Sequence, residues 1–382
     1  MAGLFDRLYR ALAALKADET PLHRRLYRCL CERPVYFQNS LCTACKTPLG
    51  YIPDLNEVRP LEPGPDAGTW RIAGEKDSGT YRRCANFDSP AGCNWLVSID
   101  DANPLCISCR LNRTLPDLAD ADNQRYWRAI EIAKRRVVSQ LLAMNLPVAS
   151  KTEDPERGVA FDLLRSPPEG PRILTGHASG LITLNVEEAD DAKREQIRNE
   201  LHEPYRTLLG HFRHEIGHYY WDRLVSGTEW LERFRELFGD ERADYAAALK
   251  ANYDNGPPAD WRDRHISSYA STHPWEDWAE TWAHFMHIQD SLDTAMSFGL
   301  TGNRILGEVE PYSMEDLYAP DDPDAEHLLM MLNAWLGMTT VLNELARSMG
   351  QQDFYPFVMS RPVVKKLQFI QLVSRQARAT AA

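Results

Sequence analysis

The segment His214-Glu215-Ile-Gly-His218 combines the residue types and the spacing of a catalytic zinc site. Residues four positions apart share one face of an α-helix, so the imidazoles of His214 and His218 can bind one zinc ion. Glu215 lies beside them, where its carboxylate can take a proton from a zinc-bound water. The alternative is a helix with two unrelated surface histidines. Apolar residues near the motif favour the zinc site, because they supply the packed face of a helix: Leu208, Leu209, Phe212 and Ile216.

A catalytic zinc needs a third protein ligand and keeps one position open for water. A histidine six residues after the second one, with a glycine before it, would indicate the metzincin class, but these positions hold Leu224 and Trp221. A downstream segment supplies two acids instead, Glu276 and Glu280, which lie four residues apart on one helix face. In such a pair one carboxylate binds zinc and the other orients a ligating histidine. The spacing alone does not decide which acid does which.

All eight cysteines lie in one segment, and their spacing predicts two further zinc sites. They are Cys29, Cys31, Cys42, Cys45, Cys84, Cys93, Cys106 and Cys109. Proximity in the sequence groups the first four in one site and the last four in another, and a cross-braced pairing stays open. A set of disulfides is the alternative, and it suits an oxidising compartment. Four thiolates leave no open position for water, so both zinc ions are expected to be structural.

Composition indicates an ordinary globular protein with a sizeable core. Of the 382 residues 43% are hydrophobic and 26% are charged, and no apolar stretch approaches the roughly 18 residues of a membrane span. Asp6, Arg7 and Arg10 interrupt the place where a signal peptide needs an apolar run. We therefore expect no secretion signal, a cytoplasmic location and no membrane partner.

The net charge of −12 is unevenly distributed along the chain. Residues 1–115 hold 15 Lys and Arg against 13 Asp and Glu, which gives +2, and the remainder holds 28 against 42, which gives −14. An acidic surface repels phosphate backbones, so we do not expect the large C-terminal part to bind nucleic acid.

The order of these features predicts an α+β protein with three segments. Residues 1–27 form an amphipathic helix, residues 28–115 a zinc-ribbon domain with two four-cysteine sites, and residues 116–382 a mostly helical, zincin-like metallopeptidase domain with a small sheet. The 38 residues between Cys45 and Cys84 include Pro53, Pro60, Pro63 and Pro65 and are predicted to form a long loop. Residues 181–186 are predicted to be an edge strand that can pair with an extended peptide.

The stretch from Tyr269 to Glu280 resembles the corresponding part of anthrax lethal factor, a gluzincin. In gluzincins the first acid of the pair is the zinc ligand, and the tyrosine seven residues before it in lethal factor points at the reaction centre. The resemblance therefore implies that Glu276 binds zinc, that Glu280 supports a ligating histidine, and that Tyr269 donates a hydrogen bond in the transition state.

A second resemblance covers nearly the whole chain. The order of CNWLV (93–97), CxSCRLNR (106–113), LLGHFRHEIGHYYWDRLV (208–225) and WEDWAETWAH (275–284) resembles a bacterial family of zinc-binding metallopeptidases with an N-terminal zinc ribbon. It implies a zinc-dependent endopeptidase with one catalytic and two structural zinc ions and a peptide or protein substrate. The alternative is an adaptor whose zinc ribbon binds a protein or nucleic acid and whose peptidase fold is only a scaffold. Ribbon arginines support that alternative: Arg82, Arg83, Arg110 and Arg113.

Overall fold

The computed structural model describes residues 24–75, 78–200, 205–300 and 311–381. The predicted N-terminal helix lies almost wholly outside these residues, and its last positions enter strand β1 (Leu26–Arg28). The protein is α+β as predicted. Its described residues divide into two compact units, which meet in the sequence between Phe212 and Arg213.

The first unit begins with the cysteine-containing segment. Strand β1 pairs with β2 (Pro34–Tyr36), and a five-stranded antiparallel sheet follows in sequential order. Its strands are β3 (Leu49–Ile52), β4 (Glu57–Pro63), β5 (Thr69–Ile72), β6 (Tyr81–Arg83) and β7 (Leu96–Ser98). The prediction of a long loop between Cys45 and Cys84 is therefore wrong. Pro53 and Pro65 lie outside the strands, Pro63 ends β4, and Pro60 lies within β4.

A mixed four-stranded sheet completes the first unit, with helix α1 (Ala121–Ala143) and helix α2 (Asp191–Glu200). The strands are β8 (Asn112–Thr114), β9 (Ala160–Leu164), β10 (Gly176–Ala178) and β11 (Leu181–Asn185), in the spatial order β10-β11-β9-β8. Strand β11 pairs in parallel with β9 and antiparallel with β10. The prediction that residues 181–186 form an edge strand is wrong, because the short hairpin partner β10 covers the side that would be free.

The second unit is helical. Helix α3 (Leu208–Leu224) crosses the division between the units, and α4 (Trp230–Phe238), α5 (Tyr245–Asn255), α6 (Trp261–Arg264), α7 (Pro274–Ser297), α8 (Ala325–Ser348) and α9 (Arg361–Ala381) follow. Its core is rich in buried aromatic side chains, among them Tyr220, Trp278 and Trp282. Within the described ranges, no helix is both long and apolar enough to cross a bilayer.

Candidate metal centre

Close packing of α3 on α7 builds the centre. Gly217 permits this approach, because a Cβ atom there would come within 3.2 Å of the Ala279 Cα atom. The Trp278 indole N–H donates a 2.8 Å hydrogen bond to the Gly217 carbonyl. The rings of Tyr220 and Trp282 stack at 5.0 Å. The glycine inside the histidine motif therefore brings the two helices together at the level of the ligands.

His214, His218 and Glu276 converge on one point. Nε2 of His214 lies 3.2 Å from Nε2 of His218, and the Glu276 Oε2 atom lies 3.0 Å and 3.6 Å from these two nitrogens. Tetrahedral coordination at about 2.0–2.1 Å separates neighbouring ligand atoms by roughly 3.3–3.4 Å. The three donor atoms are thus spaced as the ligands of one zinc ion.

Glu280 lies behind His214 rather than among the converging atoms. Its Oε1 atom is 2.7 Å from Nδ1 of His214, so Nδ1 donates and Nε2 keeps its lone pair for a metal. The Ser267 hydroxyl donates to the other oxygen at 2.6 Å. Burial raises the pKa of Glu280, but its contacts with His214 and the charges around it outweigh burial and lower the pKa to about 2. The carboxylate is therefore ionised and fixed at both oxygens.

Tyr245 is a residue of this centre that sequence reasoning missed. Its hydroxyl donates a 2.7 Å hydrogen bond to Oε1 of Glu276, the oxygen that does not face the histidines. Burial, followed by the charge of Glu276, raises the pKa of Tyr245 above its ordinary value, so the hydroxyl keeps its proton. The two residues lie 31 positions apart in different elements, and no local pattern in the sequence links them.

Tyr269 and Glu215 lie at the same centre. The Tyr269 ring is 6.0 Å from the His214 ring, and Tyr245 is among the neighbours that raise the pKa of the Tyr269 hydroxyl. Burial raises the pKa of Tyr269, and the charge of Glu276 raises it further. Glu215 is buried, and its negative charge is one of the causes that raise the pKa of Tyr245. The structure therefore brings His214, His218, Glu276, Glu280 and Tyr269 together, and Glu215 follows His214 on the same helix.

The electrostatics of the ligand set suit a cation. Burial alone would raise the pKa of Glu276, but the facing imidazoles lower it well below its ordinary value. Burial alone would lower the pKa of His214, yet the two carboxylates raise it strongly. A positive charge is thus favoured between the imidazoles and the Glu276 carboxylate, where a metal ion would compete with a proton for the same atoms. The buried Oε2 atom of Glu276 has no donor among the described residues except the imidazoles that face it.

The eight cysteines form two clusters that follow the order of the sequence. Cys29, Cys31, Cys42 and Cys45 form the first cluster, and Cys84, Cys93, Cys106 and Cys109 form the second. Sulfur–sulfur distances of 3.5 and 3.8 Å in the first and 3.7 Å in the second fit a tetrahedral zinc, which separates thiolates by roughly 3.8 Å at Zn–S bonds of about 2.3 Å. Each cluster consists of four cysteines that follow one another in the sequence, so the cysteines are not paired in a cross-braced arrangement.

The two cysteine clusters differ in their surroundings. In the first, Cys31 and Cys45 are exposed, whereas all four cysteines of the second are buried. Helix α1 lines the second cluster with charged residues that are themselves buried: the Cys109 thiol lies 3.9 Å from Glu131, and Lys134 pairs with Glu131 at 2.6 Å. Desolvation lowers the pKa of the buried Arg135, but the negative charges of the nearby cysteines and of Glu131 outweigh this effect and raise the pKa.

Comparison with known proteins agrees with these groupings. A family model described as "Putative zinc-binding metallo-peptidase" matches residues 123–373, and a zinc-ribbon domain model matches residues 26–120. The chain belongs to this family of zinc-binding metallopeptidases. Its membership links the His214/His218/Glu276 set to a zinc-binding family and the cysteine clusters to a zinc ribbon.

Relatives extend the match over most of the chain. An uncharacterized protein of Mycobacterium bovis and two of Mycobacterium tuberculosis are each 41% identical over 344 residues, which cover 90% of this chain and 93% of the relative. No solved structure matches the chain. The resemblance to lethal factor therefore rests on the residues that carry it and stays a prediction.

Proposed function

We propose that this metallopeptidase is a zinc-dependent endopeptidase that cleaves peptide bonds of a protein substrate. The observation that carries the proposal is the convergence of His214, His218 and Glu276 at the spacing of tetrahedral zinc ligands. A zinc ion held there supplies a polarised scissile carbonyl and a water of lowered pKa.

Glu215 acts as the general base in this proposal. It follows His214 on α3 and is buried at the same centre, so its carboxylate is placed to take a proton from the attacking water and pass it to the leaving amine. Tyr269 is the donor to the oxyanion in this proposal, because its ring lies 6.0 Å from the ring of His214 and burial raises the pKa of its hydroxyl, which keeps the proton. Glu280 holds the His214 ring in the tautomer that exposes Nε2.

Contacts of the ribbon arginines weaken the adaptor alternative. Arg82 binds backbone carbonyls of residues 101 and 103, and Arg83 binds that of Leu49. Arg110 and Arg113 form ion pairs with carboxylates of the same unit. These guanidinium groups are engaged within the chain, so they contribute little to a surface for nucleic acid.

Cleavage profiling on a peptide library tests the proposal. Wild-type protein loaded with zinc is compared with Glu215→Gln, which keeps the size of the side chain and one acceptor oxygen but cannot act as a base. We expect wild-type cleavage at defined peptide bonds and its loss in the variant, with three zinc ions per chain in both. An equal cleavage pattern in both proteins would contradict the role of Glu215. Two zinc ions and no cleavage in the wild type would favour the adaptor.

A further inference from the structure

The two oxygens of the Glu276 carboxylate have different partners. Oε2 faces the Nε2 atoms of His214 and His218, whereas Oε1 accepts the hydrogen bond from the Tyr245 hydroxyl at 2.7 Å. A carboxylate can bind a metal through one oxygen or through both. A donor that occupies Oε1 therefore selects one-oxygen binding through Oε2 and fixes the plane of the carboxylate.

The segment before α5 holds Tyr245 in place. Asp244 caps the helix by accepting from the backbone N–H of residue 247 at 3.0 Å. Three residues earlier in the same segment, Glu241 is buried in a paired contact with Arg235, at 2.6 and 2.9 Å. Nε2 of His273, the N-cap of α7, lies 3.1 Å from the backbone carbonyl of residue 243. The start of α5 is thus tied to the start of the helix that carries Glu276.

Ring packing completes the support. The Tyr245 ring lies 5.3 Å from the His273 ring, edge to face, and 6.2 Å from the Trp275 ring. Replacing Tyr245 by phenylalanine keeps these contacts and removes only the hydroxyl. That substitution therefore isolates the hydrogen bond to Glu276 from the packing of the segment.

We propose that Tyr245 is a positioning residue: it restricts Glu276 to one metal-facing oxygen. This inference rests on the proposed function, because it takes Glu276 as a ligand of the catalytic metal. Without the Tyr245 hydroxyl, Oε1 is buried without its donor and turns toward the metal. The carboxylate then binds through both oxygens, and the position needed for water and substrate is crowded.

The test uses the full chain with zinc retained in the ribbon. A mild chelator removes the catalytic metal, cobalt(II) replaces it, and the absence of thiolate–cobalt charge-transfer bands verifies that the ribbon is untouched. We expect Tyr245→Phe to lower zinc affinity about 10–100-fold in competition with a chromophoric chelator, as for other partners of metal ligands. The visible cobalt bands should also weaken, because intensity falls as coordination rises from four to five. On a peptide substrate, kcat should fall, and KM should change by a smaller factor.

Tyr318→Phe is the matched control, because Tyr318 also directs its hydroxyl at a carboxylate, that of Glu236 at 3.5 Å, and its ring packs on Phe369 rather than on His273 or Trp275. It should change neither the cobalt spectrum nor zinc affinity, and thermal unfolding should show all variants folded. Glu276→Ala separates the two proposals. Loss of the metal in Glu276→Ala with an unchanged spectrum and affinity in Tyr245→Phe overturns the role of Tyr245 alone. Full metal binding in Glu276→Ala overturns the ligand assignment and with it the proposed function.

Discussion

The cysteine clusters and the His214/His218/Glu276 centre offer different kinds of ligand set for a metal ion. Each cysteine cluster brings four donors of one type from turns between short strands. The other centre brings three donors of two types from two long helices, and its neighbours are proton donors and acceptors such as Glu215, Tyr245 and Tyr269. Four thiolates satisfy zinc completely, whereas three donors leave one position for a reactant.

This difference suggests that metal has a different role in each region: it stabilises the fold of the cysteine-containing segment and serves the chemistry of the other centre. The short strands of the cysteine-containing segment share a small apolar core that includes Ile52, Leu61, Ile72 and Leu96, and zinc bound at its turns is expected to supply a large part of its folding free energy. The helices around His214 and Glu276 pack through Gly217, Trp278 and Trp282, and they do not need the metal to stay together. Loss of metal should therefore unfold one region and only inactivate the other.

The largest effect is expected in the second cysteine cluster. The double substitution Cys106→Ser/Cys109→Ser removes two buried thiolates, and zinc binding supplies on the order of 10 kcal/mol to small domains of this kind. The variant should misfold or aggregate, as measured by thermal unfolding and by zinc content. Glu215→Gln serves as the control and should melt like the wild type. A soluble double variant with normal melting and a full zinc complement would contradict the structural role of the cluster.

Substitution of Tyr269 should give an intermediate effect confined to catalysis. A donor that acts in the transition state contributes about 100- to 1000-fold in rate, roughly 3–4 kcal/mol. Tyr269→Phe should lower turnover by this factor while zinc content, melting temperature and KM stay close to wild type. Steady-state kinetics on a substrate from the cleavage profile decide it. A loss smaller than about threefold would mean that the tyrosine is only part of the packing and that another donor has this role.

The parts of this comparison were not equally visible in the sequence. Ligands with a local spacing, the C-x-x-C turns and His214 to His218, were identified because the turn or helix that joins them is itself local. The sheet between Cys45 and Cys84 was missed because its strands are short and contain prolines, and their pairing depends on partners rather than on a repeating pattern. The interior position of β11 in its sheet was missed because it depends on pairing with the hairpin partner β10. Tyr245 was missed because only the tertiary fold brings it to Glu276.

The smallest effect is expected for Glu280, which contacts His214 but not the point where the ligand atoms meet. Glu280→Ala removes the acceptor that orients the imidazole and should weaken zinc affinity about 10–100-fold. Glu280→Gln keeps an acceptor at the same place without the charge and should fall between this variant and the wild type. Chelator competition measures all three, with Glu276→Ala beside them as the variant that loses the catalytic zinc and keeps the ribbon zinc. If Glu280→Ala lost that zinc completely while Glu276→Ala retained it, the two acids would have exchanged roles, and the spacing of ligand atoms found here would not describe the loaded site.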